Sequence, residues 1–242
     1  MSRCLVILDY KMPFYNLMEC LRVYESPYRK VRLGKKNDGG YIICDIDSNY
    51  DILLSGGIAN DISFENALLE KYTQLRGVAF DGTITSCPRR TQNRLHFVKK
   101  NIGAIESETM TNLQEYFTQN NTIFMKMDIE GGEVALFSSL SDTDLLKIKQ
   151  LVIEIHSATD LDIPTRLAKT HWLVHFHANN CCGTTIVDGI RVPKVFECTY
   201  IRRKPGDNFA LNKWPIPDPD LDQPNLVGKP EIELQGAPFV HT

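Results

Sequence analysis

Two apolar runs in this chain stop at clusters of charge. In Lys126-Met127-Asp128-Ile129-Glu130-Gly131-Gly132-Glu133, an extended backbone sends Lys126, Asp128 and Glu130 to one side and Met127 and Ile129 to the other. Burying even part of that charge is costly unless a cation, a bound amine or a metal answers it. The run Leu151-Val152-Ile153-Glu154-Ile155-His156 also ends in alternating polar residues, so Glu154 and His156 share one side of their strand. Strands laid side by side would bring Asp128, Glu130, Glu154 and His156 to one rim. Such a set can deprotonate a hydroxyl by general base catalysis, or hold a divalent cation that acidifies it. His156, with an ordinary histidine pKa of about 6.5, is the first expectation for the base, with Glu154 as competitor and Asp128 beside them. If Mg²⁺ or Mn²⁺ is used, Asp128 and Glu154 are the expected ligands, because hard cations prefer oxygen. The plainer alternatives are an acidic helix start at Glu133 and a buried glutamate with a satisfied histidine beside it.

Two upstream segments suit a nucleoside cofactor. Ser55-Gly56-Gly57-Ile58-Ala59-Asn60-Asp61 follows an apolar run, and small residues there let a ligand approach the backbone and the free N–H groups of the next helix. Gly56, Gly57 and Asp61, with Asp81, Gly82 and Asp128, are the expected cofactor contacts, although the glycines do not fit the spacing of a dinucleotide fingerprint. Asp81-Gly82 closes the following run, and a carboxylate there can accept hydrogen bonds from both hydroxyls of a ribose. A tight turn and a capping aspartate are the structural alternatives. Further on, His175 and His177 alternate on one side of their run before Asn179 and Asn180; His177 and Asn179, with Glu130, are expected to meet the acceptor. Cys181-Cys182 has no second pair at zinc-site spacing and reads as packing.

The elements that must position these residues follow a regular cadence. Apolar runs at 51–54, 77–80, 95–98, 122–127, 151–155, 172–176 and 195–201 alternate with helix-like segments at 62–72, 109–118, 132–149 and 162–170. That cadence implies βαβ units and a mainly parallel, doubly wound sheet. The stretch 179–193 is rich in turn formers and too short for a crossover helix, so the last two strands should pair antiparallel. Ahead of the sheet, 31–44 reads as a hairpin around Asn37-Asp38-Gly39-Gly40. Residues 1–30, broken by Pro13 and Pro27, read as an N-terminal extension. Residues 205–242 carry seven prolines (205, 215, 217, 219, 224, 230 and 238) and read as an extended tail, with Trp214 and Phe239 favouring docking.

At 242 residues with 43% hydrophobic content, one α/β domain with extensions is the simplest organisation. A formal charge of −3 provides no basic field for nucleic acid, so no such partner is expected. The apolar run at 4–8 is cut by Asp9 and Lys11 before a signal-peptide core forms, and no stretch reaches the roughly 20 apolar residues of a membrane span. Seven scattered cysteines do not form a secreted disulfide framework, which points to a reducing, cytoplasmic setting.

The pair of motifs at 126–133 and 151–156 resembles the central motifs of the FkbM-like methyltransferases. The resemblance runs from about Arg32 to Arg203, taking in Arg32-Leu33-Gly34, Asp38-Gly39-Gly40-Tyr41, His175-Phe176-His177-Ala178-Asn179-Asn180 and Glu197-Cys198-Thr199-Tyr200. It implies a Rossmann-like class I methyltransferase domain over 31–204, a mostly parallel sheet ending in an antiparallel hairpin. It further implies S-adenosylmethionine as cofactor and a hydroxyl of a sugar or related small molecule as acceptor. The 55–57 loop departs from the Gly-x-Gly pattern of many methyltransferases. Two other readings stand beside it: a non-catalytic glycan- or protein-binding module on this scaffold, and a metal-dependent nucleotide-sugar enzyme.

Overall fold

The structure is a computed structural model that describes residues 16–46, 49–88, 93–158 and 161–242. The early apolar run at 4–8 and Pro13 lie outside the described residues. Strands β1 (Lys30–Gly34) and β2 (Gly40–Cys44) form the expected hairpin, its turn closed by left-handed Asn37 and Gly39. The sheet strands are β3 (Ile52–Gly56), β4 (Gly77–Phe80), β5 (Leu95–Val98), β8 (Ile123–Met127), β9 (Ile148–Ile155), β10 (His171–Ala178) and β13 (Phe196–Arg202). Two small pairs complete the strands: β6 (Asn101–Ile102) with β7 (Met110–Thr111), and β11 (Thr184–Val187) with β12 (Ile190–Pro193).

The seven-stranded sheet has the order β10-β13-β9-β8-β3-β4-β5, with β13 antiparallel to both neighbours. The chain winds outward from β3 to β5, then returns to the other side of β3 through β8 and β9. The order therefore reverses between β3 and β8, where a ligand crevice opens in such sheets. This is the doubly wound, Rossmann-like fold expected from the cadence, mostly parallel with an antiparallel hairpin at its end.

Both faces of the sheet are covered, which is why its central strands read as continuous apolar runs. Leu53 and Phe124 pack toward α2 (Ser63–Lys71) and the β1–β2 hairpin, with Phe64, Leu68 and Tyr41. Leu54, Met125 and Leu151 pack toward the opposite layer of α1 (Leu17–Cys20), α3 (Gln114–Gln119), α4 (Glu133–Ser139) and α6 (Asp162–Thr170).

Three expectations need correction in detail. The helix-like segment 132–149 divides, because Leu140 turns extended and Ser141 opens α5 (Asp142–Leu145) with a capping box to Asp144. Strand β9 then begins at Ile148. Segment 109–118 starts as strand β7 and becomes helical only at Gln114. The turn-rich stretch before β13 holds a hairpin of its own, closed by left-handed Asp188 and Gly189, the residue types a primed turn requires.

The tail docks. Ile216, Leu234 and Phe239 join the main core, with the Phe239 ring centroid 4.9 Å from that of Phe176, whereas Trp214 is 66% exposed and does not anchor it. Residues 23 and 24 cover the free edge of β10, where Val23 bridges Leu173 and Tyr24 N–H donates to the Leu173 carbonyl. That contact blocks the edge at Leu173 against pairing with another strand.

Candidate active site

The loop after β3 is shaped by a close approach of two chain segments. A Cβ on Gly57 would lie 1.6 Å from the Asp128 carbonyl oxygen, and φ at Gly57 is +71°, so only glycine fits. Its N–H donates to the Phe80 carbonyl at 3.0 Å, tying this loop to the end of β4. Asp81 follows, and its Oδ2 accepts from the Ala59 N–H at 2.8 Å while Oδ1 accepts from Thr83 N–H at 2.8 Å and Thr83 Oγ1 at 2.5 Å. Burial pushes the Asp81 carboxyl up, but these donors outweigh it and hold the pKa below the ordinary aspartate value.

Between the two loops lies a cavity of about 360 Å³, lined by Gly57, Ala59, Phe80, Asp81, Thr83, Asn101, Ile102, Asp128, Ile129, Glu130 and Gly132. It sits at the carboxyl ends of β3, β4 and β8, at the reversal of strand order. Three of the expected contacts do not line this cavity. Gly56 faces Ile102, Ile129 and Met127, and Gly82 packs on Asn101, whose Oδ1 accepts the Gly82 N–H at 3.1 Å. Asp61 instead caps the start of α2 through Ser63 and pairs with Lys35 at 3.4 Å. Asn101 and Ile102 were missed by the sequence reading. They follow β5 after two residues, so the rule that ligands gather at strand carboxyl ends was the signal that could have found them.

On the Asp128 side the cavity meets the rim. His156 Nε2 lies 3.4 Å from Glu154 Oε2, 3.4 Å from Glu130 Oε2 and 3.7 Å from Asp128 Oδ1, while Nδ1 lies 3.4 Å from Glu133 Oε1 without hydrogen-bond geometry. Strands β8 and β9 thus bring Asp128, Glu130, Glu154 and His156 together. The expectation of an ordinary histidine pKa does not survive. Burial pushes His156 down, but Glu133 and Glu154 outweigh it and raise its pKa to about 10. The carboxylates around the ring thus favour its protonated form. Glu154 is raised to about 7, chiefly by burial, with Asp128 and Glu197 adding to the rise against its bonds to His156 and Asn179. Its Oε1 accepts from Asn179 Nδ2 at 2.8 Å, so Asn179 stands behind a carboxylate. Glu130, left-handed at φ +54°, has a side chain 86% exposed.

Two neighbours fix Asp128. The Tyr41 hydroxyl donates to its Oδ2 at 2.7 Å, and the buried Lys126 ammonium stands 3.9 Å from the same oxygen. Among the described residues, Asp128, Glu130 and His156 each offer a ligand atom within 4.8 Å of the others, a set that could hold a metal; it shares only Asp128 with the expected pair.

His177 is not at the rim. Its side chain is 1% exposed, between Glu197 Oε2 at 3.5 Å and Glu231 Oε1 at 3.4 Å, and the tail covers it. An acceptor cannot reach it without displacing residues 222–231.

No family model matches the sequence, and no curated protein does. Solved structures do. One is a protein from Streptococcus pneumoniae provisionally named a tRNA (m1A22) methyltransferase, in complex with S-adenosyl-L-methionine: 13% identity, 66% of this chain and 70% of that one, TM-score 0.36. A methyltransferase, so named provisionally, from Thermoplasma acidophilum shares 11% identity over 71% of this chain and 84% of its own, TM-score 0.32. A variant of the 16S rRNA (adenine(1408)-N(1))-methyltransferase from Catenulisporales acidiphilia shares 10% over 74% and 100%, TM-score 0.33. The fold assignment rests on the sheet order, not on likenesses of this size. Among the described residues no helix is long and apolar enough to cross a membrane.

Proposed function

We propose that this chain is an S-adenosylmethionine-dependent methyltransferase acting on a hydroxyl of a sugar or similar small acceptor. The carrying observation is the junction of the 360 Å³ cavity, with its Gly57 backbone and Asp81 carboxylate, and the rim of Asp128, Glu154 and His156. Gly57 and Ala59 would hold the nucleoside and Asp81 its ribose hydroxyls, with Asp128 on the side where methyl transfer would take place. Attack on the methyl carbon needs an in-line oxygen and a group to take its proton. Glu154, buried at the strand end, takes that proton; His156, in its protonated form, balances the carboxylates around it. An excess of carboxylates at this rim repels a phosphate backbone, so a neutral acceptor suits it better than nucleic acid. The resemblance to FkbM-like sequences agrees with a sugar hydroxyl.

Calorimetry with S-adenosylhomocysteine against nucleoside diphosphates tests the cofactor. The product should bind and the diphosphates should not. Gly57→Val should abolish binding by forcing the loop off the Asp128 carbonyl, and Asp81→Ala should cost about 1.5–3 kcal/mol, the size of a charge-assisted hydrogen bond. Unchanged affinity in both variants removes this placement.

A second reading is favoured by the convergence of Asp128, Glu130 and His156. A divalent ion there would acidify the hydroxyl, provided His156 gives up its proton to ligate. Loss of transfer on chelation and its return with Mn²⁺ or Mg²⁺ would support it. Full activity after rigorous chelation leaves the metal-free route.

A further inference from the structure

The turn after β10 carries two adjacent cysteines that do not pack. Cys181 and Cys182 are exposed free thiols, whereas Cys20, Cys44 and Cys198 are buried. Their backbone is tied to Asn179: the Cys181 N–H donates to Asn179 Oδ1 at 2.9 Å, and the Cys182 N–H to the Asn179 carbonyl at 3.4 Å. The other end of the same side chain, Nδ2, donates to Glu154 Oε1 at 2.8 Å. One amide therefore joins the cysteine turn to the rim. The Lys229 ammonium donates to the Cys181 carbonyl at 3.0 Å, which brings a positive charge to that residue. Partial burial pushes the Cys182 thiol up, the Cys181 sulfur and Glu154 add to the rise, and His156 opposes it. Cys182 thus keeps its proton, which leaves Cys181 as the sulfur that attacks first.

We propose that Cys181-Cys182 is a thiol–disulfide exchange site, oxidised to a vicinal disulfide by small-molecule disulfides, and that Asn179 carries its state to Glu154. The Cys181 thiolate attacks one sulfur of the small disulfide, which releases one thiolate and leaves a mixed disulfide. Cys182 then gives its proton to solvent, attacks the Cys181 sulfur and expels the second thiolate. Two electrons pass from the cysteine pair to the small disulfide, and the two released thiolates take up the protons lost. Cα atoms joined by a trans peptide are about 3.8 Å apart, closer than the roughly 4.4–6.8 Å usual across a disulfide. The closed ring is therefore strained and readily reduced, the property of a labile bond rather than a structural staple. Closing it turns the peptide between the two cysteines, and with it the N–H groups that hold Asn179. Any consequence for methyl transfer through Glu154 rests on the reading above; the exchange itself does not.

The test treats the reduced full chain with excess oxidised glutathione and maps it with trypsin. Residues 170–191 form one tryptic peptide, and Cys181 and Cys182 are its only cysteines. In wild type that peptide should become two hydrogens lighter without retaining glutathione, and dithiothreitol should reverse the change. Cys182→Ser should stop at the mixed disulfide on Cys181, and Cys181→Ser should react at least about tenfold more slowly than wild type. The link to the rim is read from the Glu154 side-chain carboxyl signal in a ¹³C spectrum, identified by its loss in Glu154→Gln. That signal should shift when wild type is oxidised and return on reduction, and Asn179→Ala should remove the shift while the disulfide still forms. Free thiols after treatment, or glutathione kept on the wild-type peptide, would overturn the exchange site. A disulfide that leaves the Glu154 signal in place, or a shift that persists in Asn179→Ala, would overturn the role of Asn179. Neither readout involves the cofactor or methyl transfer, so failure here is distinct from failure of the methyltransferase reading.

Discussion

Strands β9 and β10 carry the same kind of ending, yet only one is at a site. Glu154 and His156 alternate at the end of β9; His175 and His177 alternate at the end of β10; one strand, β13, lies between them. The His156 side chain is 18% exposed and faces the cavity rim. His175 and His177 are buried under residues 222–231, His175 Nε2 against Asp222 Oδ1 at 2.8 Å and His177 against Glu197 and Glu231. Asn225 donates to Glu197 at 2.8 Å, and Asn180 accepts the Leu226 N–H and donates to the carbonyls of Leu226 and Lys229. The polar ends of β10 and β13 are thus a latch for the tail. Alternation fixes which face a residue shares; what lies over that face is decided by chain far away.

The contrast breaks most sharply at turnover. Replacing the proposed proton acceptor, Glu154→Gln, should lower turnover by roughly 10²–10⁴-fold with cofactor affinity nearly unchanged. His177→Gln should leave turnover within about threefold, because its ring is held between Glu197 and Glu231 under the tail. Steady-state kinetics on both variants decides it. A large turnover loss from His177→Gln would put β10 back at the rim, and near-normal turnover from Glu154→Gln would move the base elsewhere.

Stability should show the opposite ranking. Asp222→Ala leaves His175 buried without its partner, and a buried group left unsatisfied costs about 1–3 kcal/mol. His156→Gln, at a partly open rim, should cost much less. Denaturant unfolding of the two variants measures the difference, and equal midpoints would mean the tail is not latched by β10.

How much of this was legible depends on range. The strands at 77–80 and 95–98 and the helix at 162–170 matched their sequence bounds, because local apolar spacing and flanking turn formers determine them. The Asp128–Glu154 convergence was legible too, since the cadence made β8 and β9 neighbours. Four things were not. The capping box at Ser141 overrode a helix-compatible pattern from within, and Asp188-Gly189 set a hairpin inside what read as loose turns. The pKa of His156 depends on Glu133, which comes from the start of a helix rather than from either strand. The burial of His177 depends on Glu231, 54 positions away. Only three-dimensional proximity carries such information.

The smallest effect is in pH, and it tests the latch at both ends of the scale. Burial pushes the Asp222 carboxyl up, but the facing His175, with His177 beyond it, outweighs that and lowers its pKa from 3.8 to about 2. A carboxyl depressed on folding adds stability that is present above its unfolded pKa and lost as pH falls through the folded value. The Asp222 contribution, about 2 kcal/mol at neutrality, should therefore disappear between about pH 4 and pH 2. His177 works in the other direction: burial lowers it, but Glu197, Glu231 and Asp222 outweigh that and raise its pKa from 6.5 to about 10. Its contribution is complete below about pH 6.5 and is lost as pH rises through about 10. Thermal melting of wild type from pH 2 to pH 10 should show both declines. Asp222→Asn should flatten the acid limb while leaving the alkaline one, and His177→Gln should do the reverse. A wild-type acid limb unchanged by Asp222→Asn would show that other carboxylates govern acid unfolding and that the tail contributes nothing through this pair.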